Sequence, residues 1–455
     1  MITIDIRSRL DEISAKPARF LAIGFFLLIL VGATLLNLPI SSIDGNSVGF
    51  VDALFTSASA VCVTGLIVVN TAAHWTFFGK LIILVLIQIG GLGFMTMATL
   101  VALVLGRKIT LKNRLILQEE LNNLTLSGVV KLTKYVLYST FLIEAVGALI
   151  LSFRFVPDFG FWKGIWFSIF HSISAFCNAG FDLIGNSMES YSGSFLVIMT
   201  MSFLVVIGGI GFSVFINLSQ TIRMKKNMSR LSLHTKLVLV ITGGLLVVGF
   251  IFIYLVEFTN PETLGSMTAG EKILAAVFQS VVPRTAGFNS IPMNSMRDAS
   301  TFFIIMLMFI GGSPGSTAGG VKTTTIGVVF LTILSNIKGK EDVEIYKRRI
   351  PQGAINKAIT IFMLGFFVCL VSTLLLAISE DASFLDVLFE TVSAYATVGL
   401  SRGITADLTI FGRLLIIGNM FFGRLGPLTI AFALAERTKT NKGIYHFAEE
   451  NINVG

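Results

Sequence analysis

Four glycines recur at nearly equal intervals along this 455-residue chain, and each ends a short apolar segment. They are Gly65, Gly180, Gly287 and Gly399, separated by 115, 107 and 112 residues. Glycine tolerates backbone angles that let an extended, tightly turned chain point successive carbonyl oxygens in one direction. Carbonyl oxygens arranged in a ring can replace the hydration shell of a cation without placing a fixed charge in its path. Four such segments around one axis would therefore form an ion path.

The residues around these glycines also match. Three of the four segments have phenylalanine ten positions earlier and serine six positions earlier: Phe55, Phe170 and Phe389, and Ser59, Ser174 and Ser393. The third segment departs from the pattern with Val277 and Val281. A second glycine-rich motif follows each glycine, as GGLG, GGIG, GGSP and GRLG. Two landmarks in register predict four copies of one unit. For the paired glycines of the first two motifs, close packing between membrane helices is an equally good explanation.

The composition is that of an integral membrane protein. Hydrophobic residues make up 54 % of the chain, charged residues make up 13 %, and the mean hydropathy is +0.84, which is too apolar for an ordinary soluble domain. Most apolar runs reach the ~20 residues that a helix needs to cross a bilayer, and they are too long for barrel strands. The predicted fold class is all-α. Four scattered histidines, three separated cysteines and no catalytic sequence motif argue against an enzyme.

The basic residues divide the chain into four units of the same orientation. Five segments hold 24 of the 34 Lys and Arg residues: 1–19, 106–134, 223–236, 338–357 and 435–455. Because cytoplasmic loops accumulate Lys and Arg, these segments and both termini are expected on the cytoplasmic side. The predicted units are residues 1–105, 106–222, 223–338 and 339–455, each with an even number of crossings. Inverted repeats need an odd number, which disfavours the alternative of a secondary ion-coupled transporter with broken helices.

Each unit is predicted to contain a membrane span, a short pore helix, an extended return segment and a closing span. The middle part is too short to cross and too apolar for an exposed loop, so it is expected to enter the membrane and return. Four units give eight spans with pseudo-fourfold symmetry around one central pore. The pore helices are predicted over residues 49–61, 161–176, 270–283 and 384–395. The return segments are residues 62–66, 177–181, 284–288 and 396–400.

The closing span of the third unit is too long for one helix, whereas those of the other units are expected as single runs over 78–105, 194–218 and 409–434. The run from 299 to 337 would extend roughly 58 Å at 1.5 Å per residue, more than a bilayer is thick. Its middle, GGSPGSTAGG at residues 311–320, cannot sustain a helix. We therefore predict two half-helices joined by an intramembrane loop; a kink without a gating role is the alternative.

Arg424 lies in the last apolar run, where the other three units have glycine. The corresponding glycines are Gly91, Gly209 and Gly312. An arginine at the centre of a membrane helix costs ~2.5–3.5 kcal/mol on insertion scales, so it is expected to face the interior and to bind acceptors. By register, the nearest acceptors are in the intramembrane loop: Ser313, Ser316 and Thr317.

Five acidic residues also lie in or near the predicted membrane segments. Glu144, in the third apolar run, is expected to be a packed or interface-facing acid rather than an ion ligand. Four others lie near the outer ends of the pore helices and return segments: Asp52, Asp182, Asp386 and Glu390. They either concentrate cations at the pore entrance or are ordinary outer-loop charges.

The sequence Thr397-Val398-Gly399 is similar to the signature of tetrameric potassium channels, but here four unequal copies lie in one chain. That pattern resembles the Trk/Ktr/HKT superfamily of potassium transporters over nearly the whole chain. Because the sequence begins directly with the first repeat, it is most similar to the KtrB-type membrane subunits of bacterial Ktr systems. The resemblance implies potassium translocation, with or without stimulation by sodium. In this family, filters with four glycines accompany potassium preference, and a serine in the first filter accompanies sodium.

The resemblance also implies which residues act. It places a selectivity filter, with potassium as its only metal, at Val63, Thr64, Gly65, Asn178, Ala179, Gly180, Thr285, Ala286, Gly287, Thr397, Val398 and Gly399. It places a gate beneath the filter at Gly311, Gly312, Ser313, Pro314, Gly315, Ser316, Thr317, Ala318, Gly319, Gly320, Lys322 and Arg424.

Partners are implied by the same resemblance. Subunits of this type form homodimers in the bacterial plasma membrane and bind a KtrA-like cytosolic ring, whose Rossmann-like domains bind nucleotides. This sequence has no dinucleotide-binding fold of its own, so no cofactor is expected in this chain and any nucleotide is expected on the partner. The basic loops suit an acidic partner or anionic membrane lipid. The net charge of +8 reports membrane orientation and need not imply nucleic-acid binding.

Overall fold

A computed structural model describes residues 17–93, 96–97, 99–100, 115–118, 129–224, 227–426 and 429. Most of these residues are helical, as the sequence predicts. The helices of twelve or more residues are α1 (Pro17–Leu36), α2 (Phe50–Val61), α3 (Phe77–Leu92), α4 (Val129–Phe159), α5 (Phe161–Phe176), α6 (Phe195–Ile210), α7 (Phe212–Arg223), α8 (Leu233–Glu257), α9 (Ala269–Val281), α10 (Asp298–Phe309), α11 (Thr323–Ile337), α12 (Gln352–Ser379), α13 (Phe384–Tyr395) and α14 (Ile410–Leu425). A hairpin of two short antiparallel strands, β1 (Glu344–Ile345) and β2 (Arg348–Arg349), lies between α11 and α12.

The short helix predicted in the middle of each unit is present in all four. Helices α5 and α13 have the predicted bounds, α2 starts one residue later, and α9 covers Ala269–Val281 rather than 270–283. Two of the starts are stabilised by side-chain capping. The hydroxyl of Ser383 accepts from the backbone N–H of Asp386 at α13, and Thr268 forms a capping box with Glu271 at α9.

The first helix of each unit is long and apolar enough to cross a membrane. The four segments that meet this criterion among the described residues are Arg19–Leu36, Val130–Phe159, Leu233–Glu257 and Gln352–Ser379. The helices that begin the closing segments, α3, α6, α10 and α14, have 12 to 16 residues each. Counting α6 with α7 as one bent span raises the number to five. The total of eight spans therefore stays a prediction.

A closing helix also ends at a glycine in the first, second and fourth units. The prediction of one run over 194–218 is wrong, because the chain bends between α6 and α7. For the predicted runs over 78–105 and 409–434, most residues after 93 and 426 lie outside the described ranges. Helices α3, α6 and α14 each end directly before a glycine of positive φ. These glycines are Gly93 (φ 92°), Gly211 (φ 99°) and Gly426 (φ 84°). Helices α6 and α7 meet at 101° across Gly211. A left-handed residue interrupts the helical hydrogen-bond pattern, and glycine adopts that conformation at little cost. In the third unit, α10 and α11 are separated by the predicted loop.

The four units pack as a closed ring. The closing helix of each unit contacts the short helix of the next: α3 packs on α5, α6 on α9, α10 on α13, and α14 returns to α2. An ion pair between Arg413 of α14 and Asp52 of α2 links the last unit to the first. One continuous hydrophobic core joins all of them. The return segments therefore lie inside the ring.

Several sequence predictions fall on residues outside the described ranges. They concern most of the N-terminal basic segment, much of the basic loop at 106–134, and the C-terminal tail at 435–455. Segment 338–357 is described, and it carries the hairpin of β1 and β2.

Candidate functional site

The four return segments share one backbone conformation although their residues differ. The residue two positions before each glycine has a left-handed conformation: Val63 (φ 57°), Asn178 (φ 61°), Thr285 (φ 70°) and Thr397 (φ 52°). The glycines have positive φ as well, between 71° and 97°. Positive φ is rare for valine and threonine because their branched side chains crowd the backbone. Strain of this kind persists where the surrounding structure imposes it, and it concentrates at functional sites.

Serine side chains hold three of the return segments against their short helices. Ser59 and Ser393 accept hydrogen bonds from the backbone N–H groups of Gly65 and Gly399, at 3.0 and 3.1 Å. Ser174 donates to the carbonyl of Phe181 at 2.8 Å. These are the serines that recur in the sequence pattern. The third unit lacks the hydroxyl at Val281, and the backbone bond from Ala286 N to Val282 O, at 3.0 Å, ties its return segment instead.

The four glycines converge on one small region. A Cβ added to Gly65 would lie 2.6 Å from the carbonyl oxygen of Ala179, and one added to Gly180 would lie 2.8 Å from Cα of Gly287. A Cβ on Gly287 would lie 2.7 Å from the carbonyl oxygen of Val398. One on Gly399 would overlap the carbonyl oxygen of Thr64. Each glycine therefore contacts the return segment of the next unit, and the fourth contacts the first, so the four segments form a closed ring. Peptide carbonyls lie between neighbouring glycines.

The paired glycines of the second motif allow each closing helix to approach the end of a short helix. A Cβ on Gly90, Gly208 or Gly423 would overlap the carbonyl oxygens of Val61, Phe176 and Tyr395, respectively. In the third unit the same contact is made within the loop, because Gly311 meets the carbonyl oxygen of Gly319. Close packing therefore accounts for these glycines in the structure.

The intramembrane loop, residues 311–320, lies beside the return segments. Backbone bonds fix both of its ends: Gly311 N donates to Val321 O at 2.9 Å, and Thr323 N donates to Gly312 O at 3.0 Å. The loop also caps helix α6, whose last carbonyls have no helical partner because the helix breaks at Gly211. Ser313 N donates to Gly209 O at 2.9 Å, and Thr317 N donates to Gly208 O at 3.2 Å.

Arg424 joins the loop to another broken helix end. Its guanidinium donates to the carbonyl of Thr317, an acceptor expected from the register. It also donates to the carbonyls of Gly90 and Gly91 in the last turn of α3, the latter at 3.1 Å. A positive charge at a helix C-terminus is stabilised by the helix dipole. Lys322 binds its own loop instead, with Nζ 2.6 Å from Ala318 O and 3.3 Å from Gly319 O.

The outer acidic residues are engaged in protein contacts. Asp52 pairs with Arg413, and the partner of Asp386 is Arg402 at 2.7 Å. Asp182 accepts three backbone N–H groups of the turn that follows it. Glu390 is fully buried and accepts from Ser401 at 2.8 Å and Thr405 at 2.6 Å. These contacts favour a structural role over the concentration of cations.

Glu144 is a packed acid, one of the two roles expected from the sequence. Its side chain is buried, and both carboxylate oxygens lie 3.1 Å from Nε2 of Gln88. The thiol of Cys177, the first residue of the second return segment, lies 3.9 Å from the same carboxylate. Gln88 was not among the predicted site residues; its signal in the sequence is a lone amide in an apolar run, 56 residues from its partner.

We expect Gln88→Leu to lower the melting temperature of the detergent-solubilised protein, because the buried carboxyl of Glu144 loses its amide donor. The loss corresponds to about 1–3 kcal/mol, the usual cost of an unsatisfied buried polar group. Replacing both partners by apolar residues is much less costly. The double variant Gln88→Leu/Glu144→Leu should therefore melt above the single variant; if both melt at the same temperature, the pair is not coupled.

The sequence matches the family named TrkH and described as "Cation transport protein" over residues 12–442. It is 45 % identical, over 425 residues, to the Ktr system potassium uptake protein B of Bacillus subtilis (strain 168), covering 93 % of this chain and 94 % of that protein. It is 42 % identical, over 454 residues, to the potassium/sodium uptake protein NtpJ of Enterococcus hirae, covering 99 % and 98 %. These alignments span all four units.

A solved structure shows the same fold. The crystal structure of the potassium transporter TrkH from Vibrio parahaemolyticus is similar with a TM-score of 0.70, and it covers 91 % of this chain and 83 % of that chain. The two sequences are 20 % identical, so the likeness concerns the fold. It agrees with the predicted all-α membrane architecture.

Proposed function

The chain belongs to the TrkH family of cation transport proteins, and from that membership we propose that it carries potassium ions across a bacterial plasma membrane. Its relatives in Bacillus subtilis and Enterococcus hirae are named for potassium and potassium/sodium uptake. In this proposal the return segments form the selectivity filter, and the intramembrane loop with Arg424 forms the gate. The protein is a transporter rather than an enzyme.

The observation that carries the proposal is the closed ring of glycines and peptide carbonyls. Carbonyl oxygens of Thr64, Ala179 and Val398 lie against glycines of neighbouring return segments, so no side chain separates the four segments at this level. A dehydrated monovalent cation is stabilised by such carbonyl dipoles. The left-handed residues repeat in every segment, which supports one common orientation of the carbonyls. Non-helical backbone at membrane depth is tolerated where it is buried in protein or lines a water-filled cavity.

Two hydroxyls support the same assignment. Oγ1 of Thr64 and Oγ1 of Thr397 are buried and make no hydrogen bond within the described part of the chain. Buried hydroxyls are normally satisfied. Each hydroxyl oxygen can accept a hydrogen bond or coordinate a cation, so both are candidate ligands at the level of the return segments.

The gate assignment rests on position and charge. The loop contacts both the second and the fourth return segments, because Thr317 Oγ1 is 3.3 Å from Asn178 Oδ1 and a Cβ on Gly319 would overlap Thr397. Arg424 places a positive charge at the same level. A cation that passes the ring must therefore move the loop or pass close to a guanidinium that repels it.

The proposed assembly is a homodimer that binds a KtrA-like cytosolic ring, with any nucleotide on that partner and with both termini in the cytoplasm. The support is the high similarity to a protein named as component B of a Ktr system and the excess of Lys and Arg in alternate segments. Anionic lipid is a further proposed partner of the basic segments.

The proposal is tested by expressing the chain in a bacterium that lacks its own potassium uptake, with and without a Ktr-type cytosolic subunit. Growth at low potassium, rubidium uptake and sodium uptake are measured for the wild type and for Gly65→Ser. A serine Cβ at this position would lie 2.6 Å from Ala179 O and 3.0 Å from Gly180 Cα, so we expect the preference for potassium over sodium to fall roughly tenfold or more, the effect of about 1.4 kcal/mol. Wild-type protein that carries neither potassium nor rubidium would refute the function.

A further inference from the structure

The hydroxyl of Thr317, in the middle of the intramembrane loop, reaches the second return segment. Its Oγ1 lies 3.2 Å from the carbonyl oxygen of Phe176 and 3.3 Å from Oδ1 of Asn178. The residue is fully buried. Its carbonyl accepts from Arg424, so one loop residue contacts the arginine through its backbone and the return segment through its side chain.

The amide of Asn178 continues this connection to the third unit. Its Nδ2 lies 3.3 Å from the carbonyl oxygen of Arg284 and 3.4 Å from Oγ1 of Thr285. The equivalent positions in the other units are Val63, Thr285 and Thr397, which have no amide. The second return segment alone therefore has a side chain at this position that binds the loop on one side and a neighbouring return segment on the other.

The Asn178 side chain has little freedom to respond on its own. It is buried, and its Oδ1 would be 2.7 Å from a Cβ on Gly208, so it lies directly against helix α6. A buried carbonyl oxygen that loses its donor is costly. If the loop moves and withdraws the Thr317 hydroxyl, the amide must turn to find another donor, and its bonds to Arg284 and Thr285 change as well.

We propose that the Asn178 side chain couples the intramembrane loop to the selectivity filter, so that the loop determines which ion passes as well as whether ions pass. The inference rests on the proposed function. Thr317 and Asn178 act as positioning residues, and the coupling is a free energy shared between two separate sites. In this arrangement the filter is most selective while the loop holds the Asn178 amide in place.

The test compares the potassium-to-sodium uptake ratio and the maximal uptake rate in proteoliposomes. Thr317→Val removes only the hydroxyl, Thr317→Ser retains it, and Asn178→Gly removes the amide while suiting the left-handed backbone. We expect Thr317→Val and Asn178→Gly each to lower the ratio about fivefold, a typical allosteric coupling. Thr317→Ser should keep the wild-type ratio, and the double variant should match the single variants. Thr332→Val is the matched control, since the one bond of its hydroxyl among the described residues stays within α11, to Val328 O at 2.8 Å.

Two results would overturn the inference. In one, Thr317→Val changes the uptake rate but leaves the ion ratio of the wild type, so the loop is only a barrier. In the other, the effects of Thr317→Val and Asn178→Gly multiply, so the two residues act independently. Failure of the proposed function has a different signature, because the wild-type protein itself would then not carry potassium.

Discussion

Gly399→Ala should abolish potassium uptake, with a decrease of about 100-fold or more in initial rate, equivalent to roughly 3 kcal/mol in the barrier. A methyl group at this position would overlap the carbonyl oxygen of Thr64 and lie 2.9 Å from Cα of Gly65. Both neighbours are backbone atoms that cannot rotate away. The first and fourth return segments would therefore separate, and the carbonyl ring would no longer fit a dehydrated ion. Rubidium uptake into proteoliposomes measures the effect.

Gly403→Ala provides a matched control only four residues away. Gly403 has a φ of 110°, similar in sign to the 88° of Gly399, but nothing lies within 4 Å of a Cβ added there. Both variants carry the backbone cost of alanine at positive φ, about 1–2 kcal/mol. Only Gly399→Ala places a methyl group against the backbone of a neighbouring return segment. If Gly403→Ala reduced uptake as much as Gly399→Ala, backbone strain rather than ring geometry would be the cause, and the proposed filter would lose its main support.

The short helices and return segments could be predicted because the same residues recur where the same contacts are needed. The recurring phenylalanines, Phe55, Phe170 and Phe389, are fully buried. The recurring serines each bond to a return segment. At these positions the residues that recur in the sequence are also the residues that make the recurring tertiary contacts. The repeat in the sequence therefore predicts the repeat in the structure. The break at residues 311–320 was predictable for a local reason, because a segment so rich in glycine, with a proline, cannot sustain a helix.

The helix ends at Gly93 and Gly211 were not predictable from local sequence in the same way. A single glycine within an apolar run costs a helix only about 1 kcal/mol, and membrane helices tolerate it. Here the helices can end because other parts of the chain donate hydrogen bonds to the carbonyl oxygens of the last turn. The loop amides of Ser313 and Thr317 bind those of α6, and the guanidinium of Arg424 binds those of α3. These partners lie about 100 to 330 residues away in sequence, beyond any local pattern.

The contacts of Asn178 show the same limit. The sequence places Asn178 in the second return segment. It shows that this residue differs from its three counterparts, but it does not show why. In the structure its amide bridges the loop and the third return segment. The outer acids also needed the structure, because Asp52 is paired with Arg413, 361 residues away in sequence, and Asp386 with Arg402, on the far side of the return segment. Residues that differ between the four units therefore have roles set by one specific tertiary contact, which the repeat pattern does not predict.

Arg424→Ala should raise the maximal rate of potassium uptake roughly tenfold when the cytosolic partner is absent. The variant removes a positive charge from the proposed ion path and the bond that holds the loop through the Thr317 carbonyl. Two unit charges several Å apart repel by a few kcal/mol at the effective dielectric of roughly 20 found in protein interiors, and 1.4 kcal/mol is tenfold in rate. Uptake is measured per mole of protein, so that a change in expression does not imitate a change in rate.

Arg424→Lys separates the two contributions to this barrier. A lysine keeps the charge, but its compact ammonium cannot match the fork by which Arg424 contacts Thr317, Gly90 and Gly91. A rate between those of the wild type and Arg424→Ala therefore indicates that both charge and tether contribute. Arg297→Ala is the control, since this arginine is exposed and bonds Thr259 at 2.9 Å, outside the ring. Wild-type uptake by Arg424→Ala would show that the guanidinium is not part of the barrier, because removing a repelling charge from the path of a cation must otherwise speed its passage.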